Sequence, residues 1–268
     1  IACQKGQVNA ARLLLDKGAE VDRATKDGQT PLFAACTNGH VDTARLLLDR
    51  GAEVDRTSIW REMEGVTPLM EATFGSHVDL MRLLLERGAE LDVITETQGE
   101  TALLVACACG HIDAARLLLE RGADDTRAAT SGPGRGMDAL AVAKNMKHAA
   151  VVALLEEHLD SKFPLHAAAR TGDIDVMTQL LDCGAEVDTT KDGATPLFVA
   201  CEHGYINAVR VLLERGAGVD GAAKDTASGA GVGAARLLQA QGAENDRNEG
   251  CRTPLLAASA NGHSDVVR

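Results

Sequence analysis

The chain has 268 residues, 27 Lys and Arg against 39 Asp and Glu for a formal net charge of −12, and only 2% aromatic residues, with one Trp and one Tyr. That balance argues against a nucleic-acid backbone as the main partner, and so few aromatics leave no cluster for stacking bases or sugars. No run approaches the roughly 20 apolar residues of a membrane helix and no signal peptide opens the sequence, so an intracellular, cytoplasmic chain is expected.

Leu-rich runs end in Gly-Ala seven times, at Gly18, Gly51, Gly88, Gly122, Gly184, Gly216 and Gly242, and the first two glycines lie 33 residues apart. A period near 33 marks stacked repeats, in which each unit contacts only its neighbours. After the first run closes at Gly18, Asp27-Gly28 signals a turn, Thr30 suits a helix N-cap and Pro31 the first helical position. A short helix is therefore predicted from Thr30-Pro31-Leu32 to about Thr37. A break at Asn38-Gly39 leads to a second helix from near His40, with Val41, Ala44, Leu47 and Leu48 on one face, which Gly51 ends. One such unit is too short to bury its own leucines, so stacking must supply the core.

Farther along, the regularity breaks. Gly51 and Gly88 are 37 residues apart, and the four extra residues fall around Ser58-Ile59-Trp60-Arg61-Glu62-Met63. Past Gly122 a longer loop containing Ser-Gly-Pro-Gly-Arg-Gly leads into an irregular unit in which Leu159 stands where the closing glycine belongs. Only 25 residues separate His148 from Asp173, so the loop before Pro164-Leu165-His166 is missing or nearly so. Two blocks are expected, residues 1–159 and 160–268, with a continuous stack as the alternative. The second block carries a shortened repeat near 217–242, and the first and last repeats of the chain are partial, as in a window on a longer array.

Thr30-Pro31-Leu32, Thr67-Pro68-Leu69, Thr195-Pro196-Leu197 and Thr253-Pro254-Leu255, with the variant Thr101-Ala102-Leu103, recur beside Ala-Ala or Ala-Cys, Gly-His, Leu-Leu-Leu and Gly-Ala. At this spacing the set resembles the ankyrin repeat family over nearly the whole chain. The resemblance implies an all-α solenoid of about eight to nine full or partial repeats. Its helix-turn-helix units would be joined by β-hairpin fingers, and a concave face of fingers and first helices would bind other proteins.

Repetition also accounts for residues that would otherwise suggest chemistry. His40, His77, His111, His148 and His263 share one slot on successive repeats, about one helix-packing distance of ~10 Å apart, too far to share a metal. Hydrogen bonding to neighbouring backbone is their expected role. Cys3, Cys36, Cys107 and Cys201 share the small-residue slot of the first helix, and seven cysteines fit a reducing compartment. Cys251 is the one cysteine marked for testing as an exposed thiol. Gly229-Ala230-Gly231-Val232-Gly233-Ala234 fits a dinucleotide fingerprint, but no strand precedes it and Arg236 to Gly242 keeps the repeat register. Charges before the caps, such as Asp49-Arg50 and Glu86-Arg87, recur too regularly to be a site and suit helix C-termini. No catalytic residue, cofactor or metal site is expected.

Specificity in a repeat array should sit where its copies disagree. Those positions are Lys26, Asp27, Gln29, Thr37, Asn38, Trp60, Met63, Glu64, Val66, Phe74 and Glu100, then Arg170, Lys191, Asp192, Glu202 and His203. Trp60, inside the four-residue insertion, is either an interface anchor or a cover over the gap that the insertion makes. The expected function is a non-catalytic scaffold for a protein partner with a basic surface. The alternative is a regulatory or substrate-recruiting arm of a larger enzyme or channel.

Overall fold

The computed structural model describes residues 1–219 apart from Arg61, Glu62, Pro133 and Asp192, together with the backbone of 223–224 and 251–252. The Gly229–Ala234 segment, the 217–242 repeat beyond Val219, Gly242, Thr253-Pro254-Leu255, His263 and the side chains of Cys251 and Arg252 lie outside those residues.

Two compact units divide the chain, Ile1–His158 and Leu159–Arg268. In unit 1, α1 (Val8–Asp16) is followed by the helix pairs α2 (Pro31–Thr37) and α3 (Val41–Asp49), α4 (Pro68–Phe74) and α5 (Val78–Glu86), α6 (Ala102–Cys109) and α7 (Ile112–Glu120), then α8 (Ala139–Asn145) and α9 (Ala149–Lys162). Unit 2 carries α10 (Pro164–Thr171), α11 (Ile174–Asp182), α12 (Pro196–His203) and α13 (Ile206–Glu214).

Short sequence signals set these boundaries. Thr30 Oγ1 accepts a hydrogen bond from Phe33 N at 3.1 Å, and Thr67, Thr101 and Thr195 cap α4, α6 and α12 in the same way at 3.2, 3.3 and 3.2 Å. Each satisfies one amide that the first helical turn leaves without a partner. Proline follows the cap in α2, α4 and α12, where its missing N–H costs nothing. At the far end of α3, Gly51 takes φ +86° and Ala52 N donates to Leu47 O at 3.0 Å, closing the helix with a left-handed residue that glycine adopts without steric penalty.

In unit 1 the first helices pack in series, α2 on α4, α4 on α6 and α6 on α8, and the second helices do likewise from α1 to α7. The core lies between these two rows and includes Leu32, Phe33, Leu47, Leu69, Met81, Leu84, Leu103 and Leu118, each at most 1% exposed. Unit 2 has its own smaller core, with Leu165, Ala169, Met177, Leu197, Ala200 and Leu212. Burying one such leucine contributes about 1.5–3 kcal/mol.

Two departures from the sequence pattern have local causes. α9 runs for 14 residues where the other second helices have nine, because Leu159 cannot close the helix as glycine does. It continues to Lys162 and stops ahead of the Phe163-Pro164 pair, where proline pushes the preceding residue out of the helical region. The polar run Leu-Leu-Glu-Glu-His-Leu-Asp-Ser-Lys is thus helical throughout, and the division between the two units falls inside α9.

The fingers differ too. Among the described residues only the one with the four-residue insertion forms a ladder of several residues, β1 (Ser58–Trp60) against β2 (Met63–Val66), antiparallel with a register shift. A two-residue pair joins β3 (Ala223–Lys224) to β4 (Cys251–Arg252), and the finger before α12 closes through a single Lys191–Ala194 bridge. In the fingers before α2 and α6 the arms make one backbone bond each, Thr25 N to Gln29 O and Thr95 N to Glu100 O at 3.0 Å, and the same threonine's hydroxyl adds a second. Thr25 Oγ1 accepts from Gln29 N at 3.2 Å, and Thr95 Oγ1 accepts from Glu100 N at 3.0 Å.

Candidate functional site

Several side chains that recur from copy to copy are engaged in joining repeats. His40 Nε2 lies 3.1 Å from Gln4 O, His111 Nε2 3.2 Å from Phe74 O and His148 Nε2 3.1 Å from Ala108 O, each an oxygen in the preceding repeat. A carbonyl can only accept, so each Nε2 carries the proton and donates. Among the described residues no group of three or more His, Cys, Asp or Glu side chains is placed to hold a metal ion.

A second ladder uses an aspartate four residues after the glycine in four of the Gly-Ala phrases. Asp22, Asp55, Asp92 and Asp188 accept hydrogen bonds from the backbone N–H of Glu53, Glu90, Asp124 and Gly218, each at 3.1 Å. Their signal in the sequence is the repeated phrase Gly-Ala-Glu-Val-Asp, with Leu for Val before Asp92, which says nothing of the partner one repeat away. A third ladder ties the cap arginines backwards: Arg50 to Asp16 at 2.9 Å, Arg87 to Asp49 at 2.9 Å and Arg215 to Asp182 at 2.7 Å. These pairs are solvated and contribute under about 1 kcal/mol each.

The repeated cysteines behave as small core residues. Cys36, Cys107 and Cys201 are buried, and burial pushes the thiol of Cys107 up to about 12 and that of Cys201 up to about 11. Cys36 is raised as well, by burial and then by the nearby Glu71 carboxylate. Thiolate is the reactive form, so at pH 8 a maleimide should label the exposed Cys109 and Cys183 within minutes and leave Cys36, Cys107 and Cys201 intact until denaturant is added. Peptide mapping of the labelled chain reads this directly, and rapid labelling of Cys107 in the native protein would contradict the burial argument.

The residues at which the copies differ are distributed unevenly. Lys26, Asp27, Asn38 and Glu64 are exposed in unit 1, and Gln29, Thr37, Trp60, Phe74 and Glu100 are partly exposed. Met63 and Val66 depart from the expectation of a surface role: they are 9% and 0% exposed and belong to the core. Strand alternation explains Met63, which points inward while Glu64 faces water, and Val66 is covered as β2 enters α4. In unit 2, Arg170 and His203 are exposed while Lys191 and Glu202 are half-buried; Asp192 lies outside the described residues. Arg170 bonds Asp160 at 2.6 Å, and His203 stacks on Tyr205 with ring centroids 6.1 Å apart.

Trp60 is half-buried, its ring edge-on to Phe33 with centroids 5.8 Å apart. It lines a groove of about 340 Å³ between α1 and α2 together with Gln29, Thr37, Asn38, Leu14, Leu15 and Ala34. The fingers of unit 1 are joined across repeats by backbone bonds, Ile59 N to Asp27 O at 2.9 Å, Glu96 N to Glu64 O at 2.8 Å and Thr130 N to Gln98 O at 2.9 Å. Their tips therefore stand in one row.

One finger of that row is one-sided in charge, while its neighbours carry bases such as Arg23, Lys26, Arg56 and Arg127. The stretch from Ala89 to Thr101 contains Glu90, Asp92, Glu96 and Glu100 and neither Lys nor Arg. Burial raises the Glu100 carboxyl above its ordinary value, so the folded state disfavours its ionised form. That cost applies when the carboxylate is ionised and fades as pH falls through the raised folded value. Glu100→Gln should accordingly give a small rise in Tm at pH 7, a gap that narrows toward pH 4. Thermal melts at the two pH values check this, and a lower Tm for the variant at pH 7 would show that the charge is stabilising.

The sequence matches the protein-family model described as Ankyrin repeats (3 copies), over residues 1–58, 57–129 and 136–225. No curated protein matches it at a significant level.

Proposed function

Because the chain belongs to the ankyrin repeat family, whose repeats are protein–protein interaction modules, we propose that it is a non-catalytic scaffold that binds a protein partner through its finger tips and first helices. One observation carries the reading: the repeated His, Asp and Arg side chains are spent between repeats, while Lys26, Asp27, Asn38 and Glu64, where the copies differ, face solvent. In this reading Gln29, Thr37, Phe74, Glu100 and Trp60 complete the surface of unit 1, with Arg170, Lys191, Glu202 and His203 forming a separate one on unit 2. The two units act as two repeat blocks. Binding uses a preformed surface and orders little chain, which keeps its entropic cost low.

The partner presents a basic surface. Support comes from the overall charge of −12 and from the finger at Ala89 to Thr101, with its four acids and no base. Opposite charge steers encounter and is screened by salt, so association should weaken as ionic strength rises.

Affinity capture with the full chain tests both points. The double variant Asn38→Lys, Glu64→Lys should lose the partners that wild type retains, a loss of tenfold or more in recovered material. Arg82→Glu, on the exposed side of α5, should retain them. Equal capture by the double variant, with an unchanged far-UV circular dichroism spectrum, would overturn the finger and first-helix assignment. Salt-insensitive capture would overturn the basic partner alone.

A further inference from the structure

We draw no further inference here: the strongest candidate, the apolar groove between α1 and α2 lined in part by Trp60, adjoins the surface already described, and nothing in the structure shows what covers it.

Discussion

Phe33→Ala should lower the stability of unit 1 by about 3–5 kcal/mol, the usual cost of emptying a buried phenylalanine site, and shift Trp60 emission to longer wavelength. Phe33 is fully buried in α2, and it is the ring against which Trp60 packs edge-on at 5.8 Å. Deleting it removes transfer free energy, leaves a cavity and takes away the aromatic pairing, itself worth about 0.5–1.5 kcal/mol. Trp60 is the chain's only Trp, so its fluorescence reports on this place alone.

Stability in a repeat array is close to a sum of unit and neighbour terms, so the damage should stay local at first. In a urea titration the Trp60 transition should therefore precede loss of the helical circular dichroism signal. Coincident transitions with a loss below about 1 kcal/mol would mean that the β1–β2 finger does not depend on Phe33. The same variant bears on Trp60 itself. If the indole chiefly covers α2, Phe33→Ala and Trp60→Ala should destabilise together non-additively, as contacting residues do.

Gly39→Ala should destabilise by about 2 kcal/mol, the middle of the range for a non-glycine residue held at positive φ. Gly39 has φ +70° in the turn between α2 and α3, and an added Cβ would lie 2.7 Å from Nδ1 of His77 in the following repeat. The substitution therefore strains the backbone and pushes on the contact that joins two repeats. The same slot of the next repeat holds Ser76 at φ +53°, and that of the irregular unit holds Lys147 at φ +62°. These two positions supply the reverse experiment: Ser76→Gly should stabilise by about 1 kcal/mol, relieving the penalty an L residue incurs there. Denaturant midpoints for the two variants should move in opposite directions. If both are neutral, the turn tolerates a side chain and backbone strain plays no part at this slot.

Helix starts and stops were legible from local chemistry. The helix expected from Thr30-Pro31-Leu32 to about Thr37 is Pro31–Thr37, and the one expected from near His40 is Val41–Asp49. Thr capping, proline at the first position and a closing glycine act within four residues, so neighbours in sequence suffice to specify them. Spacing likewise sets the repeated histidines and cysteines apart from one another, because residues in the same slot of successive repeats lie about one helix-packing distance of ~10 Å apart. The four-residue insertion was located correctly, but not its consequence: it gives one finger arms long enough to pair as β1 and β2.

Exposure was harder to read. Met63 and Val66 differ between copies as Glu64 does, yet they lie inside and Glu64 outside: alternation along β2 turns Met63 inward, and Val66 is covered where β2 enters α4. Glu71, on an inner face of α4 at 3% exposed, would pass for a surface acid by composition. The aspartate ladder joins residues 30 or more positions apart, such as Asp55 and Glu90, and only the stacking of one repeat on the next creates the contact.

The amino-acid sequence by itself determined the family, the helix boundaries and the repeat period, all of which follow from caps, turns and apolar spacing within about 33 residues. Tertiary structure alone decided that Trp60 rests on Phe33, that Met63 and Val66 lie inside, and which variable residues remain exposed to solvent. Those outcomes depend on what a neighbouring repeat covers, and burial is a property of the assembled stack that no single repeat encodes.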